Sequence, residues 1–302
     1  MKGIAERVRA ESSVVFLLLW SLCSSADLRL HTRYQYIKIP VNGLFSFWEG
    51  PCASSWAVSV AMAASLELDA GVGSSWPSPN YIISYQYMMD CCAACSEGYQ
   101  NGCHGGDFVK AMDWMTTNGS YSGGTNNLTG YYACKNYARA ECTMNYTYSQ
   151  RTGMAMCTDA DLIQDNMIKV CNNKCNDGTT AAGPYKLTGG KSTVTRTTDY
   201  HIDMANFQNG PSARILITEA IVYEDLLAWS DPEAVYYHSW GRAVGTVTVL
   251  LFGNLIEPTT SQDYWIVWFP WGHQFGKRSF LKVAKGVNML GLEMPGKVYY
   301  FL

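Results

Sequence analysis

Two side chains with chemical potential sit close together in the segment Gly50-Pro51-Cys52-Ala53-Ser54-Ser55-Trp56-Ala57, just before a long apolar stretch. A thiol at the start of a helix can ionise near neutral pH, because the first-turn amides and the helix dipole favour an anion. A serine hydroxyl gains little acidity there and needs a base beside it. Histidine is the usual base, and the chain has five: His31, His104, His201, His238 and His273. Cys52 also has a structural reading. Eleven cysteines are present, and Cys23 falls in the N-terminal targeting-like segment. The other ten, Cys52, Cys91, Cys92, Cys95, Cys103, Cys134, Cys142, Cys157, Cys171 and Cys175, are an even number in one stretch. In an oxidising compartment they predict five disulfides, with a connectivity that sequence alone leaves open. Cys92-Ala-Ala-Cys95 has zinc-ligand spacing and is the competing reading.

The N-terminus points to such a compartment. Lys2, Arg7 and Arg9 precede the apolar run from Val14 to Leu22, and Ser24-Ser25-Ala26 suits cleavage before Asp27. Residues 1–26 are therefore expected to be a signal peptide, with a retained anchor or an ordinary helix as the alternatives. The run is far shorter than the ~20 residues a spanning helix requires, so no stable membrane span is expected. Sequons at Asn118, Asn127 and Asn145 fit N-linked glycans on a secreted or extracellular protein, or on one of an endomembrane or lysosome-like compartment. Lys and Arg total 22 against 25 Asp and Glu, so no basic footprint for nucleic acid is present.

The elements that must position Cys52 and Ser55 are legible in outline. Ser55 to Leu68 is apolar almost all round, which predicts a buried helix with Ser54 or Ser55 capping its first turn. Asp107 to Met115 predicts a second helix, and Gly178 to Thr198 a loop. Ser212–Ile221, Thr246–Phe252, Tyr264–Trp268 and Ser279–Val283 are short β-branched and aromatic runs that predict strands. A helical, cystine-rich front and a strand-rich back imply an α+β protein of two lobes, about 49–175 and 176–302. Residues 27–48 are left as a strand or a contact arm.

The segment around Cys52 resembles the nucleophile signature of papain-like cysteine proteases, with Cys52 at the disulfide-forming cysteine and Trp56 at the tryptophan. Cys91-Cys92-x-x-Cys95 with Gly102-Cys103-His104-Gly105-Gly106 resembles motifs of the cathepsin B branch. Ser122-Gly123-Gly124, Asn209-Gly210-Pro211, Ala234 to His238 and Tyr264-Trp265-Ile266-Val267 follow in the family's order, so the resemblance runs from about Glu49 to Glu293. It implies the two-lobe papain-like fold, a helical cystine-rich lobe facing a β-barrel-like lobe. It also implies the bridges Cys52–Cys103, Cys91–Cys171, Cys92–Cys95, Cys134–Cys175 and Cys142–Cys157.

The same resemblance assigns catalytic positions, and this chain departs from the family at each. Ser55 stands at the nucleophile, Gly245 at the histidine, Phe269 at the orienting asparagine and Glu49 at the oxyanion glutamine. Gly245 cannot act as a base, and an ionised Glu49 would repel the charge that catalysis must stabilise. Among the histidines His273 is the nearest candidate for the cleft, although a solvent-facing role is expected for it. The Cys142 to Cys157 loop lacks the paired histidines of exopeptidase members, and about two dozen residues between Ala26 and Gly50 leave no room for an inhibitory propeptide. Trp268, Phe269, Pro270 and Trp271 are expected to line the cleft or fill it. The expectation is a non-catalytic structural, matrix or self-assembling protein without metal or cofactor, partnered by itself or by extracellular proteins. Matrix components among cathepsin B-like proteins without the nucleophile give that a family precedent. A soluble binder using the cleft is the alternative, and a divergent hydrolase through Ser55 is the third reading.

Overall fold

The computed structural model describes residues 26–27, 48–72, 82–96, 102–124, 134–138, 141–162, 167–180, 183–194, 199–209 and 213–302. Residues 1–25, 28–47 and the sequon at Asn127 lie outside them. After a two-residue strand β1 (Ala26–Asp27), the first lobe forms around helix α1 (Ser55–Val72). Strand β2 (Ile82–Ile83), helix α2 (Tyr85–Cys91) and helix α3 (Phe108–Thr117) follow. The lobe ends with β3 (Ser122–Gly124), β4 (Lys135–Asn136) and the short helix α4 (Tyr146–Thr152). Asp107 caps α3, its carboxylate accepting from the amides of Val109 (2.8 Å) and Lys110 (3.1 Å). Ser84 does the same for α2 through the Tyr87 amide.

The second lobe opens with β5 (Lys191–Thr193), inside the stretch expected to be loop, because its backbone pairs with the C-terminal strand. Helix α5 (Tyr200–Asn209), β6 (Leu216–Tyr223), the one-turn helix α6 (Glu224–Leu227) and β7 (Val235–Tyr236) come next. The chain then runs through β8 (Ala243–Ile256), β9 (Asp263–Trp268), β10 (Phe280–Ala284) and β11 (Tyr299–Phe301). These strands form one sheet in the order β5-β11-β6-β8-β9-β10-β7, with β1 alongside β8. Among the described residues it is not a closed barrel: the edge strands β5 and β7 are three and two residues long, and each pairs there with a single neighbour. The barrel-like expectation is corrected to an open sheet.

Both faces of that sheet are buried, which explains why its strands read as continuous apolar runs. Leu250 and Phe252 of β8, with Tyr264, Ile266 and Trp268 of β9, join Trp56, Val60 and Ala64 of α1 in one core. The alternate residues Val249, Leu251, Trp265 and Val267 face a second core with Val283. Helix α1 is thus enclosed by α2, α3 and the sheet, as its uniformly apolar sequence requires. Five disulfides tie the first lobe: Cys52–Cys103, Cys91–Cys171, Cys92–Cys95, Cys134–Cys175 and Cys142–Cys157. Cys92 and Cys95 are bonded to each other, and among the described residues no cluster of His, Cys, Asp and Glu could hold a metal.

The turn before α3 sits hard against α1. A Cβ at Gly106 would lie 2.6 Å from the Trp56 indole and 2.7 Å from the Cys95 carbonyl. Neither the buried ring nor the disulfide-fixed backbone can give way cheaply. Gly106→Ala is expected to lower stability by ~2 kcal/mol or more, read as the shift in the urea midpoint under non-reducing conditions.

Candidate functional site at the lobe seam

The residues singled out in the sequence meet where α1 begins, between the two lobes. Four first-turn amides of any helix lack partners within it. The expectation that a serine side chain caps them is corrected here. Ser54 is fully buried and its hydroxyl has no hydrogen-bond partner, while its carbonyl receives the amides of Ala57 (2.9 Å) and Val58 (3.1 Å). Ser55 turns away from its own helix: its Oγ accepts the backbone amide of Thr248 on β8 at 3.1 Å. One helical turn on, Ser59 donates its hydroxyl to the Thr248 carbonyl at 2.7 Å.

The reason lies in the sheet. Thr248 pairs with Glu219 of β6 on one side, whereas β9 joins β8 only from Leu250 onward. The outward amide and carbonyl of Thr248 would be buried without partners. Two serines four residues apart lie on one face of α1, and together they satisfy that peptide edge.

Glu49 lies at the start of α1. Its carboxyl accepts the indole N–H of Trp271 at 2.8 Å and is near enough to the backbone amides of Ser55 and Ser54 to feel them, while the Ser54 amide itself donates to the Cys52 carbonyl at 2.8 Å. The surrounding backbone is pinned as well. The Glu49 amide donates to the Pro270 carbonyl (3.0 Å), and its own carbonyl accepts the Tyr137 hydroxyl (2.6 Å). Gly50, at φ +61°, reverses the chain so that the carboxyl lies back over the helix start. Burial pushes the Glu49 carboxyl up from 4.5 to about 8, with the indole and amide hydrogen bonds opposing the rise.

The remaining positions are dispersed. Gly245 is exposed and paired with Val222, and a Cβ built on it would meet nothing within 4 Å. Phe269 is fully buried with its ring 5.0 Å from Trp271 and 5.1 Å from Phe275. Trp268 and Pro270 are buried too, so of the four residues expected along the cleft only Trp271 is part-exposed. His273 does not face solvent as expected. Its amide donates to Glu141 Oε1 (2.6 Å), its Nδ1 lies 3.1 Å from Glu141 Oε2, and its Nε2 is buried without a partner. His238 is bound to Asp225 through Nδ1 at 3.0 Å, and His104 is exposed beside Ala53. Among the described residues no basic side chain is hydrogen-bonded to Ser55. The sequons at Asn118 and Asn145 are exposed.

Sequence reading missed Glu141, Ser59 and Thr248. The serine spacing was available as a signal. The Glu141–His273 contact spans 132 positions and left none.

Residues 48–299 match the model of the papain family cysteine proteases. Cathepsin B-like cysteine proteinase 3 of Caenorhabditis elegans is 28% identical over 81% of this chain and 58% of its own length. Cathepsin B-like cysteine proteinase 1 of Ostertagia ostertagi is 29% identical over 80% of this chain and 64% of its own. The chain therefore spans less than two thirds of these relatives. Among solved structures, procathepsin B S9 from Trypanosoma congolense superposes with a TM-score of 0.62 at 18% identity, covering 92% of this chain and 76% of that one.

The raised Glu49 carboxyl makes stability fall as pH rises. Below 4.5 the folded and unfolded chains both hold the proton; between 4.5 and about 8 only the folded chain does, so unfolding releases it and stability declines. At about 1.4 kcal/mol per pH unit, the loss reaches on the order of 5 kcal/mol. Glu49→Gln should abolish that part of the slope, measured as the difference in unfolding free energy between pH 5 and pH 8 for the two chains.

Proposed function

Because the chain belongs to the papain family of cysteine proteases, we propose that it keeps the protease scaffold without the protease chemistry and serves as a secreted structural, matrix or self-assembling protein. The observation that carries this reading is the pair of contacts at the start of α1. The Ser55 hydroxyl holds the Thr248 amide, and the Glu49 carboxyl lies where a reacting carbonyl oxygen would have to be received. A hydrolase needs a base within reach of its nucleophile and open donors for the developing oxyanion. At this seam the buried Glu49 carboxyl stands beside the first-turn amides, and the position assigned to the base is Gly245.

The burial of Trp268, Phe269 and Pro270, which leaves only Trp271 of the expected cleft wall part-exposed, favours assembly over the alternative of a soluble peptide binder. Exposed Leu227, Tyr237, Trp240 and Val244, on and near α6 and the start of β8, supply apolar surface. Disulfides and exposed sequons at Asn118 and Asn145 support an extracellular or endomembrane setting. Among the described residues no helix is long and apolar enough to cross a membrane.

Sedimentation velocity of the glycosylated, non-reduced protein should show species growing with concentration. A monodisperse monomer at every concentration would move the reading to a soluble binder. Separately, neither the protein nor its Ser55→Cys variant should cleave dipeptidyl or longer fluorogenic peptides above the buffer rate. Turnover by the natural chain that Ser55→Ala abolishes would restore the hydrolase reading.

A further inference from the structure

We propose that Asn145 carries an N-linked oligosaccharide that covers an apolar patch of Met144, Tyr146 and Met156 and so closes the Cys142–Cys157 loop to self-association. Met144 is 66% exposed, Tyr146 67% and Met156 41%, three large apolar side chains on one small loop. Arg151 is the only charged residue between the two cysteines, so charge does little to keep this surface in water. The backbone holds the patch in place. Its ends are joined by the Cys142–Cys157 disulfide, and Thr143 is bridged to Met156. The Thr143 amide donates to the Ala155 carbonyl and the Cys157 amide to the Thr143 carbonyl, both at 2.9 Å. The Asn145 amide donates to Thr143 Oγ1 (2.9 Å), and Ser149 Oγ to the Met154 carbonyl (2.7 Å). Residues 143–145 therefore lie alongside 155–157.

An exposed apolar patch either meets a partner or is an aggregation liability unless something covers it. The sequence names the cover. Asn145-Tyr146-Thr147 is an acceptor tripeptide whose asparagine stands between the two most exposed side chains of the patch. All three of its residues are exposed in the fold. Asn118 provides the contrast. Gly119 and Ser120 of its sequon are buried, and the Ser120 hydroxyl donates to the Ser84 carbonyl at 2.9 Å. No large apolar side chain of α3, which ends beside Asn118, is exposed, so a sugar there would screen no such surface. Transfer forms a bond from the Asn145 amide nitrogen to C1 of an N-acetylglucosamine. The bond from that carbon to a polyprenyl pyrophosphate breaks, and the amide proton leaves with the pyrophosphate. The attached oligosaccharide is bulky and hydrated, which keeps a second protein off the side chains beneath it.

The inference rests on the secreted setting proposed for the chain, and it fails separately from self-assembly. The full chain is secreted by eukaryotic cells and digested, and the peptide containing Asn145 is weighed before and after treatment with peptide-N-glycosidase. It should carry a glycan. A bare Asn145 in protein recovered from the medium overturns the proposal. A chain that stays inside the cell with every sequon bare overturns the secreted setting along with it.

Applied to the folded protein, the same enzyme uncovers the patch with no folding step in between. Fluorescence of an apolar dye such as anilinonaphthalene sulfonate should then rise several-fold, and heavier species should appear in sedimentation velocity. The rise should persist in Asn118→Gln. Asn145→Gln should bind the dye before any treatment and gain nothing from it, and adding Met144→Ser and Tyr146→Ser should cancel its dye binding. Equal dye binding before and after removal of the sugar, or a rise that Asn118→Gln abolishes, overturns the proposal. A glycosylated protein that stays monomeric, yet gains dye binding on removal of the sugar, would take away the assembly reading and support the covered loop.

Discussion

The start of α1 is buried between two lobes, and its unpaired backbone groups must find partners there. A helix end at the surface can leave its amides to water, whereas one pressed against a sheet cannot. Here the Glu49 carboxyl lies beside the first-turn amides, and the uncovered Thr248 peptide of β8 receives Ser55 and Ser59. An orphaned buried donor or acceptor costs ~1–3 kcal/mol, so these side chains are held by the packing of the lobes and hold the lobes in return. The seam is a polar joint inside an apolar contact between α1 and the sheet.

That joint governs what chemistry the scaffold can offer. A nucleophile must have a free lone pair facing substrate and a base to take its proton. The Ser55 oxygen gives one of its two lone pairs to an amide hydrogen bond, and the half-buried His273 is paired with Glu141. The anion-favouring end of the helix is covered by a carboxyl from three residues before the disulfide-bonded turn at Cys52. Stability and reactivity compete for the same groups, and every contact described at the seam favours stability.

The lobes reach rigidity by different routes. The first has short strands and helices of uneven length, and five disulfides tie its connecting segments. The second contains no disulfide among its described residues and relies on a sheet buried on both faces, with β8 and β9 each feeding two cores. Phe269 belongs to the second core, where its ring packs with Trp271 and Phe275. Trp271 stands at the junction, packing on Phe269 while its indole reaches Glu49.

The sequence by itself determined the cystine-rich front, the buried helix after Cys52, the strand-rich back and the order of motifs that mark the family. Those features are local, set by residue type, periodicity and spacing, and they survived with boundary shifts of a few residues, as in α3 and β8. The tertiary structure alone decided where the polar groups at the seam find partners. Ser55 reads as a cap in the sequence and is a clasp in the fold, because the open edge of β8 arrives from 193 positions away. Glu49 reads as a misplaced charge and is a buried carboxyl held by the Trp271 indole beside the helix start. His273 reads as a surface residue and is half-buried against Glu141. Partner choice for a buried polar group depends on which backbone edges the packing leaves uncovered, and no local pattern carries that information.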